Sequence, residues 1–151
     1  MSEKRKTTTN TEGIHLWLIL LRASRAVENR ARKSVDNLGI GLSDFAVLEA
    51  LLHKGPLPVN TLGRKVLLTS GSMTAAVDRL ERNGLVERAD DPEDRRSRIV
   101  HLTSEGRALI RTAFAQHKRD MESVFSCLDD NEKSGLANLL RKLGHSAAAS
   151  E

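Results

Sequence analysis

Apolar positions follow three successive patterns along the chain. From Ile14 to Leu21 they are almost unbroken, with Ile14, Leu16, Trp17, Leu18, Ile19, Leu20 and Leu21 apolar on every side of a helix. A lone surface helix cannot present that to water, so a second surface must cover it. Further on, Leu20, Ser24, Val27, Ala31, Val35 and Leu38 keep one narrow stripe, while Arg22, Arg25, Arg30, Arg32 and Lys33 face outward. The pattern predicts a helix over about residues 13–37 whose start is an interface and whose end packs on one neighbour.

Shorter amphipathic stretches follow. Ser43 is the expected N-cap of a helix that buries Phe45, Leu48 and Leu52 and stops at Gly55, with Leu42 and Val47 as a hydrophobic staple. Pro56 and Pro58 bracket a turn, and residues 59–66 form a short helix with Leu62 inward. Thr69 caps a third helix over 70–82, with Leu68 and Met73 spaced as a staple. Its apolar face is Met73, Ala76, Val77 and Leu80, and Asn83-Gly84 supplies the left-handed end. Residues 85–88 and 97–102 then read as two strands around a loop rich in Asp, Pro and Arg.

The third pattern is a long seam. Ile110, Phe114, His117, Met121, Val124 and Leu128 step by four and three along a helix capped at Thr103 or Ser104. Residues 129–132 resemble a capping box for a last helix, with Leu136, Leu139, Leu140 and Leu143 on one face and Gly144 as its stop. The order of elements predicts a mainly α chain with a small β-hairpin: a winged helix-turn-helix with flanking dimerisation helices. We divide it into a flexible tail (1–12), an N-terminal dimerisation helix (13–41), a DNA-binding lobe (42–103) and C-terminal dimerisation helices (104–151).

The face of helix 70–82 opposite its apolar stripe is Gly71, Ser72, Thr74, Ala75, Asp78, Arg79 and Arg82, small at the start and charged further on. Small polar side chains let a helix N-terminus approach base edges and phosphates in a major groove. Taken alone, the helix equally fits an ordinary amphipathic surface helix; the appended hairpin turns the balance towards DNA.

Composition changes this picture little. At 151 residues the chain is one domain's worth, and 24 Lys and Arg against 20 Asp and Glu permit nucleic acid without demanding it. The tail carries Lys4-Arg5-Lys6, which suits a disordered segment or an arm on phosphates. A single cysteine, Cys127, fits a reducing cytoplasm; the first apolar run has eight residues, short of the roughly 20 that span a bilayer. No glycine-rich phosphate loop, GxSxG or HExxH appears, so the chain is not expected to be an enzyme, and no cofactor is expected. Histidines 15, 53, 101, 117 and 145 lack ligand-like spacing, and no metal is expected.

The run Asp91-Pro92-Glu93-Asp94-Arg95-Arg96, followed by Leu102-Thr103-Ser104-Glu105-Gly106, resembles the wing signature of the MarR family of bacterial transcription regulators. Residues 77–86 are similar to the end of that family's recognition helix, so the resemblance runs in order through residues 68–102. It implies a homodimer on a near-palindromic double-stranded DNA site, with half-sites roughly 10 bp apart. Ser70, Gly71, Ser72, Thr74, Ala75 and Arg79 would meet the major groove and nearby phosphates. Arg95, Arg96 or Arg98 would enter the minor groove, with Asp94 orienting Arg96; alternatively the wing is only solvated charge, since its acidic residues outnumber its arginines.

The dimer layer would comprise Ile14, Leu18, Leu21, Ile110, Phe114, His117, Met121, Val124, Leu136 and Leu140. The resemblance further implies a pocket for a small aromatic or phenolic effector, for which His15, Trp17, Phe45, Leu48 and Phe114 are candidates, each also explicable as plain core. Residues 53–55 through 68–72 look closest to the quinone-responsive branch. Redox-sensing relatives carry a first-helix cysteine with tyrosines nearby, and this chain has neither there. A repressor is the expected role; a ligand-independent activator or a winged helix that binds protein is the alternative.

Overall fold

In a computed structural model, which describes residues 12–66 and 70–149, the core forms where three short helices and a sheet close on one another. The elements are α1 (Gly13–Asp36), α2 (Leu42–Lys54), β1 (Leu57–Pro58), α3 (Val59–Val66), α4 (Ser70–Arg82), β2 (Val86–Asp90), β3 (Arg98–Leu102), α5 (Ser104–Val124) and α6 (Asp130–Ala148). Phe45, Val47, Leu48 and Leu51 of α2, Leu62 of α3, the Met73, Ala76, Val77 and Leu80 stripe of α4, and Val86 and Val100 of the hairpin are all buried. The α4 stripe and Leu62 lie on the apolar face that helical periodicity assigns, but α2 is buried more widely than expected: Val47 and Leu51 are sealed in with Phe45 and Leu48, and Leu52 is only half-buried. This is a winged helix-turn-helix.

The details depart from the sequence reading in five places. Gly41, not Ser43, is the N-cap of α2, and no side chain caps it; Leu42 is already helical, so the Leu42–Val47 staple does not form around a Ser43 cap. Asp44 in the first turn supplies the negative charge that the helix dipole favours there. Leu57 and Pro58 do not merely turn: they pair antiparallel with Val100 and Ile99 of β3, giving a three-stranded sheet in the order β1-β3-β2. Pro58 is tolerated because β1 is an edge strand.

The two hairpin strands pair from Val86–Leu102 to Asp90–Arg98, longer on the first strand than expected. Gly84, at φ +70°, makes the left-handed exit from α4 that Asn83-Gly84 announced. α5 ends at Val124 rather than Leu128, with turns through Phe125 and Ser126 closing it. The capping box at the start of α6 is present in both directions: Glu132 N–H donates to Asp129 Oδ1 and Asp129 N–H to Glu132 Oε2, each at 2.9 Å. Gly144 does not stop that helix, which runs on to Ala148 because an internal glycine costs only about 1 kcal/mol. The expected Thr69 cap, the Leu68 staple position and the tail up to residue 11 lie outside the described residues.

α1 and α6 differ from the rest. Ile14, Leu16, Trp17 and Ile19 on α1 and Leu139, Leu140 and Leu143 on α6 are exposed apolar side chains, and no residue of α6 is buried. Near its other end α1 is tied to α5: Ser34 Oγ donates to Asp120 Oδ2 at 2.6 Å and lies 3.1 Å from His117 Nδ1.

Candidate nucleic-acid interface

α4 separates its two faces completely. Met73, Ala76, Val77 and Leu80 are at most 1% exposed, whereas Gly71, Ser72, Thr74, Ala75, Asp78, Arg79 and Arg82 are all exposed. The side chain of Ser70 lies outside the described residues. The outward face therefore offers a small, polar N-terminal half. From the hairpin itself, Arg88 of β2 ion-pairs with Asp78 and Glu81 of α4, and its backbone N–H donates to Glu81 Oε1 at 3.1 Å. The wing is thereby anchored to the helix it flanks.

The acidic excess of the wing is largely used up by its own turns. Asp91 Oδ1 accepts from Glu93 N–H and Asp94 Oδ1 from Arg96 N–H, both at 2.9 Å, and Asp90 ion-pairs with Arg98 directly across the hairpin. Asp94 thus orients Arg96 through its backbone rather than by gripping its guanidinium. Arg95 and Arg96 remain exposed at the tip, with no ion pair among the described residues; Arg98 is already paired. Between the wing and α4 lies a cleft of about 570 Å³ lined by Arg64, Thr74, Asp94, Arg96 and Arg98 among others. Arg64 and Asn60 of α3 also line it, and sequence reasoning missed both; the Gly63-Arg64-Lys65 run at the end of a helix-turn-helix's first short helix was the available signal.

Arg79 is placed differently from the other expected contacts. Its Nε and Nη2 donate to the two carboxylate oxygens of Asp44 at 3.2 and 2.6 Å, and Asp44 is only 6% exposed. The hydrogen bond that Arg79 donates to Asp44 holds the guanidinium pKa above its ordinary value, against the smaller opposing effect of desolvation. Fork-to-fork pairing of this kind fixes geometry as well as charge.

The expected effector residues are not gathered in one place. Phe45 and Leu48 are 1% and 0% exposed and belong to the core of the DNA-binding lobe, so they leave no wall for a ligand. Trp17 is exposed on α1 and His15 is half-buried there. Phe114 lines a groove of about 480 Å³ between α5 and α6, together with His117, Met121, Phe125, Leu128 and Leu136 and with Lys118 and Lys133. Of the expected interface residues, Ile110 is corrected: it is fully buried inside its own chain, because the first turns of α5 pack on the lobe. Ile14, Leu136 and Leu140 are exposed, and Leu18, Leu21, Phe114, His117, Met121 and Val124 are half-buried.

Phe114 and His117 also face the lobe. The His53 ring of α2 meets Phe114 edge-on at 4.6 Å, and Phe45 meets His117 at 4.7 Å. Among the described residues no group of His, Cys, Asp and Glu could hold a metal, and no helix is long and apolar enough to cross a membrane.

A buried-stripe helix with a small polar outer face, a wing beside it with two exposed arginines at its tip and a three-stranded sheet behind define a winged helix-turn-helix of the transcription-regulator class. The MarR family model matches residues 40–97, and the chain is 34% identical over 136 residues to the HTH-type transcriptional regulator MhqR of Bacillus subtilis (strain 168), covering 90% of this chain and 94% of that one. The chain belongs to the MarR family and is a transcriptional regulator of it.

Solved structures agree. BpsR of Bordetella bronchiseptica, whose DNA binding is regulated by 6-hydroxynicotinic acid, is 25% identical with a TM-score of 0.78, over 86% of this chain and 98% of BpsR. AbfR, solved overoxidised and bound to DNA, is 29% identical with a TM-score of 0.67, over 87% of this chain and 91% of AbfR.

Proposed function

We propose that this regulator is a homodimeric repressor that binds a near-palindromic operator through α4 and the wing and is released by a small aromatic or quinone-type compound. The observation that carries the reading is the division of α4 into a fully buried stripe and an exposed polar N-terminal half beside Arg95 and Arg96 of the wing. Base edges are read in the major groove by such a face, and arginines suit a narrow minor groove. AbfR, with the same fold, is bound to DNA.

Dimerisation is supported by the exposed apolar rows of α1 and α6, which together exceed what one small chain leaves in water without purpose. Two copies related by a two-fold axis present two α4 helices to half-sites about one turn of DNA apart. For the effector, BpsR responds to a small aromatic acid. The groove containing Phe114 offers apolar walls for a ring and Lys118 for an anion, Lys133 being engaged by Glu122 of the same wall at 3.5 Å. From its wall the Phe114–His53 and His117–Phe45 contacts lead into α2, so a compound that shifts α5 biases the placement of the lobe.

The test is selection of bound sequences from a random duplex pool at fixed, moderate salt, followed by challenge of the recovered complex with small aromatic acids and quinones. An inverted repeat that one compound class releases supports the whole reading. Recovery of only salt-sensitive, sequence-indifferent binding overturns the operator, and a stable protein partner with no duplex binding moves the wing to protein recognition.

A further inference from the structure

Asp44 is a charged side chain inside the lobe of a regulator whose DNA-facing surface has every reason to avoid negative charge. It sits in the first turn of α2, 6% exposed, and its two oxygens take the Nε–Nη2 edge of Arg79. Arg79 stands seven residues beyond Ser72, two helical turns along the same outward stripe of α4, and about 13 Å from the start of that helix. Its side chain is still 46% exposed, and the two hydrogen bonds to Asp44 engage Nε and Nη2 but not Nη1. In helix-turn-helix proteins the N-terminal part of the recognition helix reads bases. A cation in the third turn, drawn back towards α2, is set away from the base edges and towards the flanking backbone.

We propose that Asp44 is a positioning residue for DNA binding: it clamps Arg79 so that the free end of the guanidinium donates to a backbone phosphate. The inference rests on the DNA-binding reading above. Arg79 then contributes affinity and register without sequence choice, as phosphate contacts do. A buried carboxylate that grips one edge of an arginine removes the rotamer freedom a long cation would otherwise lose on binding. The pair also ties α2 to α4, so the same carboxylate that fixes the contact fixes the tilt of the recognition helix against the lobe.

Charge alone and positioning predict opposite signs, which makes the pair testable. Asp44→Asn removes one negative charge near the DNA, so a purely electrostatic role predicts tighter binding. Positioning predicts weaker binding, roughly tenfold at moderate salt, the scale of a charge-assisted hydrogen bond. The salt slope should fall by about one unit in Arg79→Ala and move the same way in Asp44→Asn. In both variants the selected operator and a random duplex should lose affinity by the same factor, with the preferred sequence unchanged.

Arg79→Lys is the companion variant should Asp44→Asn fail to fold, since the exposed cation is kept and only the fork that Asp44 grips is lost. It should bind nearly as weakly as Arg79→Ala. Binding at the level of the unaltered chain by Arg79→Lys, or tighter binding by a folded Asp44→Asn, overturns the proposal. So does a changed base preference at one operator position, which would make Arg79 a base reader, or an unchanged salt slope in Arg79→Ala, which would make the pair an internal strut. Failure of the unaltered chain to bind any duplex would be distinct, because it removes the DNA-binding reading itself.

Discussion

The backbone carbonyl oxygen of Leu85 lies 1.9 Å from where a β-carbon on Gly106 would stand. Helix α5 starts against the turn that leaves α4, and only a residue without a side chain lets the two backbones meet. Thr103 completes the joint: its hydroxyl donates to Gly84 C=O at 2.6 Å and accepts from Gly106 N–H at 3.0 Å, while its own N–H donates to Leu85 C=O at 3.1 Å. Gly106→Ala should destabilise the fold by about 3 kcal/mol, the upper end for overpacking, because the clash is with backbone and cannot be relieved by a rotamer. Urea unfolding of the two proteins measures it; a loss under about 1 kcal/mol would mean α5 shifts freely at this point.

Trp17 and Leu139, 55% and 67% exposed, contribute little to the packing of the single chain. A charge placed at either should leave the lobe folded, with an effect within about 0.5 kcal/mol on a surface site. It should nevertheless oppose association, since an interface would have to bury that charge unpaired. Trp17→Glu and Leu139→Glu are therefore expected to shift the chain towards monomer in sedimentation velocity and to weaken operator binding with it. A dimer of undiminished affinity in both variants would place the interface elsewhere.

Where periodicity reports burial, the sequence was readable. Met73, Ala76, Val77 and Leu80 are buried as their spacing requires, and the Asp129–Glu132 capping box forms because both partners lie within four residues of each other. What was not readable depends on distant partners. The α5 seam looked uniform, yet Ile110 is sealed in the lobe and Met121 lies beside an open groove, because α5 leaves the lobe partway along its length. Arg79 reads as one more cation on an outward face, and nothing local announces that a carboxylate 35 positions earlier holds it. Asp94 was expected to orient Arg96, but the residues did not show by which atoms; the two-residue separation favours the Asp-to-backbone turn, and the contact is made through Arg96 N–H.

Asp120 accepts from Ser34 Oγ at 2.6 Å and from Gln116 Nε2 at 2.8 Å. The Ser34 hydrogen bond first, then that of Gln116, holds its carboxyl below its ordinary value of 3.8. A depressed folded value stabilises the fold above the unfolded one, and that stabilisation is lost as pH falls through the folded value, so the window lies below 3.8. Asp120→Asn should lower stability near neutral pH and flatten the acid limb, leaving the variant and the unaltered chain closest at the acid end. Unfolding curves across the acid range check the sign; parallel limbs would mean that the α1–α5 tie does not depend on the ionised carboxylate.

Arg96 is the exposed wing cation whose backbone is set by Asp94, while Arg98 is engaged with Asp90. If the wing enters a minor groove, Arg96→Ala should weaken operator binding about tenfold, and most where A·T-rich flanks narrow that groove. Dimerisation and melting should not change, because the side chain is exposed and makes no ion pair among the described residues. Asp94→Ala separates turn geometry from charge: it removes a carboxylate, which alone would favour DNA, but it also frees the turn that aims Arg96. Weaker binding is therefore expected, measured by titration against the selected operator with A·T and G·C flanks. Tighter binding would show that the charge of Asp94 outweighs its turn, and equal loss on both flanks would put Arg96 on phosphate rather than in the groove.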